Sequence, residues 1–67
     1  MVLSARNQLQ GTVKSVVLGA VMAEVVVTVA GGEIVSVITR HSAEALDIKA
    51  GDGITAVIKA TEVLLQK

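Results

Sequence analysis

Residues 22 to 39 constrain the fold more than any other stretch of this chain. Met22-Ala-Glu-Val-Val-Val-Thr-Val29 is rich in β-branched side chains, whose restricted χ1 suits a pleated sheet better than a helix. Gly31-Gly32 follows, and then Ile34-Val-Ser-Val-Ile-Thr39. Paired glycines supply the positive φ angles that a tight turn needs, so the two runs are expected to form an antiparallel hairpin.

The rest of the chain extends this start. Residues 8 to 18 alternate, with Leu9, Val13 and Val17 on one side and Gln8, Gln10, Thr12 and Lys14 on the other, the period of a long half-buried strand. After the hairpin, Ser42 is placed as the N-cap of a short helix reaching about Asp47. Glu44 then falls in the first turn, where the helix dipole favours a carboxylate, and Leu46 and Ile48 anchor the helix to the core. Gly51-Asp52-Gly53 breaks the chain before a fourth strand, Ile54–Lys59, and Val63-Leu64-Leu65 makes a short fifth. Three strands, a short helix and two strands is the element order of an OB-like five-stranded β-barrel. With no proline, every run can hydrogen-bond along its length. No repeat, low-complexity tract or linker divides the chain, which reads as one all-β domain with one short helix over residues 1–67.

Size sets the next constraint. A chain of 67 residues buries a small share of its unfolded surface, and small domains are usually held by disulfides, a metal or association. There is no Cys and only one His, His41, so disulfides and a Cys/His zinc site are excluded. Ordering costs roughly 1.5 kcal/mol per residue while burial returns about 25 cal/mol per Å² of apolar surface, and the two terms nearly cancel in an isolated chain of this size. Association remains, and a hydrophobic content of 52% supplies apolar surface for it.

Composition removes several function classes. Lys14, Glu24, Glu33 and Arg40 interrupt the apolar stretches long before the roughly 20 residues needed to span a bilayer. The start Met-Val-Leu-Ser-Ala-Arg lacks the charged and apolar regions of a signal peptide, so a cytoplasmic location is expected. Six basic and six acidic residues give zero formal charge, hence no strong field toward nucleic acid or an anionic membrane. Phe, Tyr and Trp are absent, and with them the stacking platforms of single-strand binders.

Catalysis has little to work with. Glu24 lies mid-strand and Glu62 follows a bend, and neither has an evident acid or base partner; a solvated face accounts for both. Hydrogen-bond donors, by contrast, gather at strand ends. Ser4-Ala5-Arg6-Asn7 opens the first strand, Thr39-Arg40-His41-Ser42 joins the third to the helix, and Lys59-Ala60-Thr61 joins the last two strands. Hydroxyls, backbone N–H groups and one or two cations can enclose a compact oxyanion. The same residues also suit ordinary turns, where Ser, Thr and Asn bond their own backbone and Lys or Arg is solvated. His41 is open to three readings: a surface group, a donor within an oligomer, or a pH-sensitive group.

Ser4-Ala5-Arg6-Asn7-Gln8-Leu9-x-Gly11 closely resembles the opening motif of the molbindins (Mop proteins) and of related domains in molybdate-responsive regulators and molybdate transporter ATPases. Ala23-Glu24-Val25, Gly31-Gly32, Ile38-Thr39 with Ser42-Ala43, Leu46 with Gly51-Asp52, and Ala56–Val63 look like the rest of the Mop pattern. The resemblance spans essentially the whole chain. It implies an OB-like barrel of the Mop/TOBE type, a homo-oligomer that is a hexamer built as a trimer of dimers, and molybdate or tungstate bound between subunits without a further cofactor. It also implies ligand residues: Ser4, Ala5 and Arg6 beside Asn7, with Lys59, Ala60 and Thr61, and Thr39 and Ser42 contributed across an interface. A second class of site maps to Gly11, His41 and Ser42. The function implied is intracellular molybdenum storage, buffering or homeostasis. An oligomerisation or ligand-sensing module acting with a partner protein is the alternative, and a nucleic-acid-binding OB domain is a third reading that the missing aromatics and zero charge disfavour.

Overall fold

The computed structural model describes residues 6–67. Four strands, β1 (Asn7–Leu18), β2 (Met22–Val29), β3 (Gly32–Thr39) and β4 (Gly53–Ile58), accompany one short helix, α1 (Arg40–Ala45), and a 3₁₀ turn at Ala60–Glu62. The sheet runs β3-β2-β1-β4 with every pairing antiparallel. This is the expected all-β, OB-like class with one short helix.

β1 organises the sheet because it serves two partners in succession. It pairs with β4 over Asn7–Thr12 and with β2 over Gly11–Leu18, so Gly11 and Thr12 are registered with both strands. At that crossing a side chain on Gly11 would collide with the Thr28 carbonyl oxygen and come within 2.8 and 2.9 Å of the Cγ1 atoms of Val27 and Val29. Glycine permits the close approach a bent, shared strand requires.

Two residues further on, the register shifts between Val13 and Ser15, leaving Lys14 as the extra residue of a β-bulge. The bulge reverses the alternation. Val16 and Leu18, opposite Val25 and Ala23, share the inner face with Val13. Val17 stands opposite Glu24 on the outer face and is 63% exposed, which corrects its expected place beside Val13. The hairpin forms as anticipated, but its turn is Ala30-Gly31. Gly31 alone takes a positive φ, of 89°, while Gly32 is already in β3 opposite Val29.

The helix begins earlier than the sequence suggests. Thr39, not Ser42, is its N-cap, the Thr39 hydroxyl accepting the Ser42 N–H at 3.1 Å. Starting there puts Glu44 beyond the first turn, where it pairs with Arg40 at 2.6 Å. The helix closes with two bonds, Asp47 N–H to the Glu44 carbonyl at 3.0 Å and Ile48 N–H to the Ala43 carbonyl at 3.2 Å, around Asp47 at φ 51°. That is the Schellman arrangement, with an aspartate where glycine is usual. Ala43 is the residue the helix buries. Ile48 packs on the core, but Leu46 is 69% exposed because it caps a helix too short to turn it inward.

Val13, Val25 and Val27 form the core, flanked by Val16, Val29, Ile38, Ile48 and Ile54. The loop before β4 is clamped to the bulge by Val13 N–H to the Asp52 carbonyl and Gly51 N–H to the Val13 carbonyl, both 2.8 Å. The expected fifth strand does not pair among the described residues. In the 3₁₀ turn Glu62 N–H bonds the Lys59 carbonyl, which carries the chain off the end of β4, and Leu64 and Leu65 are each 93% exposed. The sheet therefore stays open between β3 and β4.

Candidate functional site

Two of the three donor segments meet. Asn7 opposite Ile58 is the last pair of the β1–β4 ladder, so Arg6 and Lys59 flank its end, one entering β1 and the other leaving β4. Ala60 and Thr61 follow in the 3₁₀ turn, and all five residues are exposed. Ser4 and Ala5 lie outside the described residues. The ladder brings these segments together because β1 and β4 are antiparallel, which puts the start of one beside the end of the other.

The charge at this end is unbalanced. Lys14 pairs with Glu33 at 2.7 Å, Arg40 with Glu44 at 2.6 Å and Lys49 with Asp47 at 3.4 Å. Arg6 and Lys59 make no ion pair with a described residue. Two cations at one end of a ladder, without a carboxylate partner among the described residues and beside the N–H groups of a turn, are donors that an anion can use. Glu62, in the same turn, sets a limit on how much negative charge can approach from its side.

The third segment is elsewhere. Thr39 ends β3 opposite Met22, and the adjoining Ala23 lies opposite Leu18, at the far end of β1 from Asn7. Eleven residue steps at about 3.3 Å put roughly 36 Å of strand path between the two ends, in a molecule whose longest dimension is 35 Å. The Thr39–Ser42 segment therefore sits at the opposite end of β1 from Arg6 and Lys59. At this end the Thr39 hydroxyl also donates to Ser42 Oγ at 2.8 Å. Arg40 is held by Glu44 and by the Gly19 carbonyl, which accepts from its guanidinium at 3.2 Å. Arg40, His41 and Glu44 line a shallow hollow with Ala20 and Val21.

Gly11 and His41, grouped by the resemblance, are not neighbours within one chain. Gly11 borders a separate hollow with Gln10, Gly53, Ile54 and Thr55. Gln10 and Thr55 are cross-strand partners there, a pair of polar groups that alternation alone assigns to solvent. Among the described residues no group of His, Cys, Asp or Glu could hold a metal ion, and no helix is long and apolar enough to cross a membrane.

A TOBE domain model matches residues 3–65. Molybdenum-pterin-binding protein 3 of Clostridium pasteurianum is 50% identical over 66 residues, covering 97% of each chain. The solved structure of a molybdate-binding protein from Sporomusa ovata superposes with a TM-score of 0.95 at 46% identity, over 100% of both chains. The cytoplasmic molybdate-binding protein ModG, with molybdate bound, gives a TM-score of 0.84 at 49% identity over 90% of this chain and 43% of its own.

Proposed function

We propose that this chain, which belongs to the TOBE domain family and within it to the molbindin (Mop) proteins, binds molybdate, and tungstate equally, at sites shared between copies of itself. The carrying observation is the juxtaposition of Arg6 and Lys59 at the end of the β1–β4 ladder without carboxylate partners among the described residues. A tetrahedral dianion satisfies both cations and the adjoining N–H and hydroxyl donors of Ser4, Ala5, Asn7, Ala60 and Thr61. Thr39 and Ser42, at the opposite end of β1, reach the same ion only from a second copy. The small core of a lone chain supports that association: five of the described residues are buried, while Val17, Val35, Val37, Leu64 and Leu65 are among the large apolar side chains left exposed. A hexamer, built as a trimer of dimers, is the assembly we assign.

The chemistry is binding without turnover by one domain spanning residues 1–67. Fixed donors replace the hydration shell of the anion, and Arg6 and Lys59 offset its charge. Selectivity follows from site size, because a smaller tetrahedral anion such as sulfate leaves some donors at poor distance, and unmet donors are costly. Tungstate, close to molybdate in size and shape, fits equally. A cytoplasmic store or buffer of molybdenum is the role this suits.

Equilibrium dialysis with molybdate tests the site. Arg6→Ala and Lys59→Ala are each expected to weaken binding on the order of 10- to 100-fold, from the loss of one charge-assisted contact of about 1.5–3 kcal/mol. Normal binding by both variants would put the site elsewhere.

A further inference from the structure

We infer that Glu62 is a built-in competitor of the bound anion: a carboxylate within reach of Lys59 that lowers the affinity of the site for every oxyanion without changing which one it prefers. Charge pairing along the chain isolates this residue. Glu33, Glu44 and Asp47 are held by Lys14, Arg40 and Lys49. Asp52 accepts the Lys49 N–H at 2.9 Å in the loop before β4, and Glu24 stands in mid-β2 opposite Val17 and Val37. Glu62 is the carboxylate that remains at the Arg6 and Lys59 end of the ladder, and like them it makes no ion pair with a described residue.

The turn sets how close it comes. Lys59 immediately precedes the 3₁₀ turn and Glu62 is the third residue within it, its N–H bonded to the Lys59 carbonyl at 2.9 Å. From that spacing a glutamate side chain can reach back to the residue that opens a helical turn. No side chain caps this turn, and Lys59 and Glu62 are both exposed. A flexible ammonium and a carboxylate three residues apart therefore meet with little rearrangement.

The inference rests on the anion site proposed above and adds to it what limits affinity there. Arg6 and Lys59 bring two positive charges to the site and Glu62 sets one negative charge against them. An arriving dianion has to displace that carboxylate from Lys59 or bind against its repulsion. The opposition depends on charge alone, so it is common to molybdate and sulfate, whereas the spacing of the donors distinguishes the two. Between exposed groups such an effect has the modest size of a surface ion pair, and salt screens it. A site restrained in this way exchanges its anion more readily than two unopposed cations would.

Calorimetric titration of molybdate and of sulfate into native protein, Glu62→Gln and Glu62→Asp, at about 20 mM and about 500 mM sodium chloride, tests the role. The turn is closed by the backbone N–H of Glu62, so both variants keep that bond, and an unchanged thermal midpoint verifies it. At low salt Glu62→Gln is expected to bind both anions about 3- to 5-fold tighter than native protein, with the ratio between the anions unchanged. At high salt the gain is expected to shrink below about 1.5-fold. Glu62→Asp, which keeps the charge, is expected to follow the native protein. Affinity of Glu62→Gln equal to or below native, a gain of the same size at both salt concentrations, or a gain confined to one anion would overturn the role of Glu62 and leave the anion site standing. A native chain that binds no molybdate would overturn both.

Discussion

Gly11 shows how a single residue sets the path of the longest strand. Its missing side chain lets the Thr28 carbonyl and the side chains of Val27 and Val29 close on β1 where the strand passes from one partner to the other. Gly11→Ala is expected to destabilise the fold by about 1–3 kcal/mol through overpacking against backbone that cannot move aside, measured by urea unfolding. Asp47 is the opposite case. It holds φ 51° at the helix end, a region that costs a non-glycine residue roughly 1 kcal/mol, and its carboxylate makes only an exposed pair with Lys49 at 3.4 Å. Asp47→Gly is expected to raise stability by up to about 1 kcal/mol; a fall in the unfolding midpoint would mean that the carboxylate does more than cap. Arg6 and Lys59 belong to a third kind, with no partner among the described residues to lose. Their alanine variants are expected to keep the native unfolding midpoint within about 0.5 kcal/mol, which separates their role in binding from any role in the fold.

Within elements, the legibility of the sequence varied with how local the controlling physics is. The β2–β3 hairpin was readable because β-branched runs and a glycine turn act over a few residues. The facing of Val17 was not, because period-two alternation assumes an unbroken ladder and the Lys14 bulge breaks it once. Helix α1 was displaced by three residues because Thr39 reads both as the end of a strand and as a cap, and only the hydrogen bond from Ser42 N–H decides between them. Thr39→Ala is therefore expected to cost about 1 kcal/mol, visible as a lowered unfolding midpoint, whereas Ser42→Ala is expected to be nearly neutral for stability. Equal losses from the two would return the cap to Ser42. The donor segments were legible as turn residues. Their grouping was not, since it depends on the β1–β4 register that sets Asn7 opposite Ile58 and leaves Thr39 at the other end of β1.

For the whole molecule, one geometric fact links stability to function. A chain with a core built around Val13, Val25 and Val27 leaves much of its apolar surface in water, and its cationic end and its Thr39–Ser42 end are separated by the length of β1. In the proposed assembly both deficits are met by the same event, the meeting of copies, which covers apolar surface and brings the two halves of an anion site together. Any ligand that binds only the assembled form stabilises it by mass action, so saturating molybdate is expected to raise the midpoint of thermal unfolding, with sulfate at equal concentration having a much smaller effect. The most direct measurement is calorimetric titration of molybdate and of sulfate into the assembled protein. Expected is saturable molybdate binding at least about 100-fold tighter than that of sulfate, a difference of roughly 2.7 kcal/mol. Equal affinity for the two anions, or no heat from molybdate, would contradict the proposal that this chain is a molybdate-binding protein.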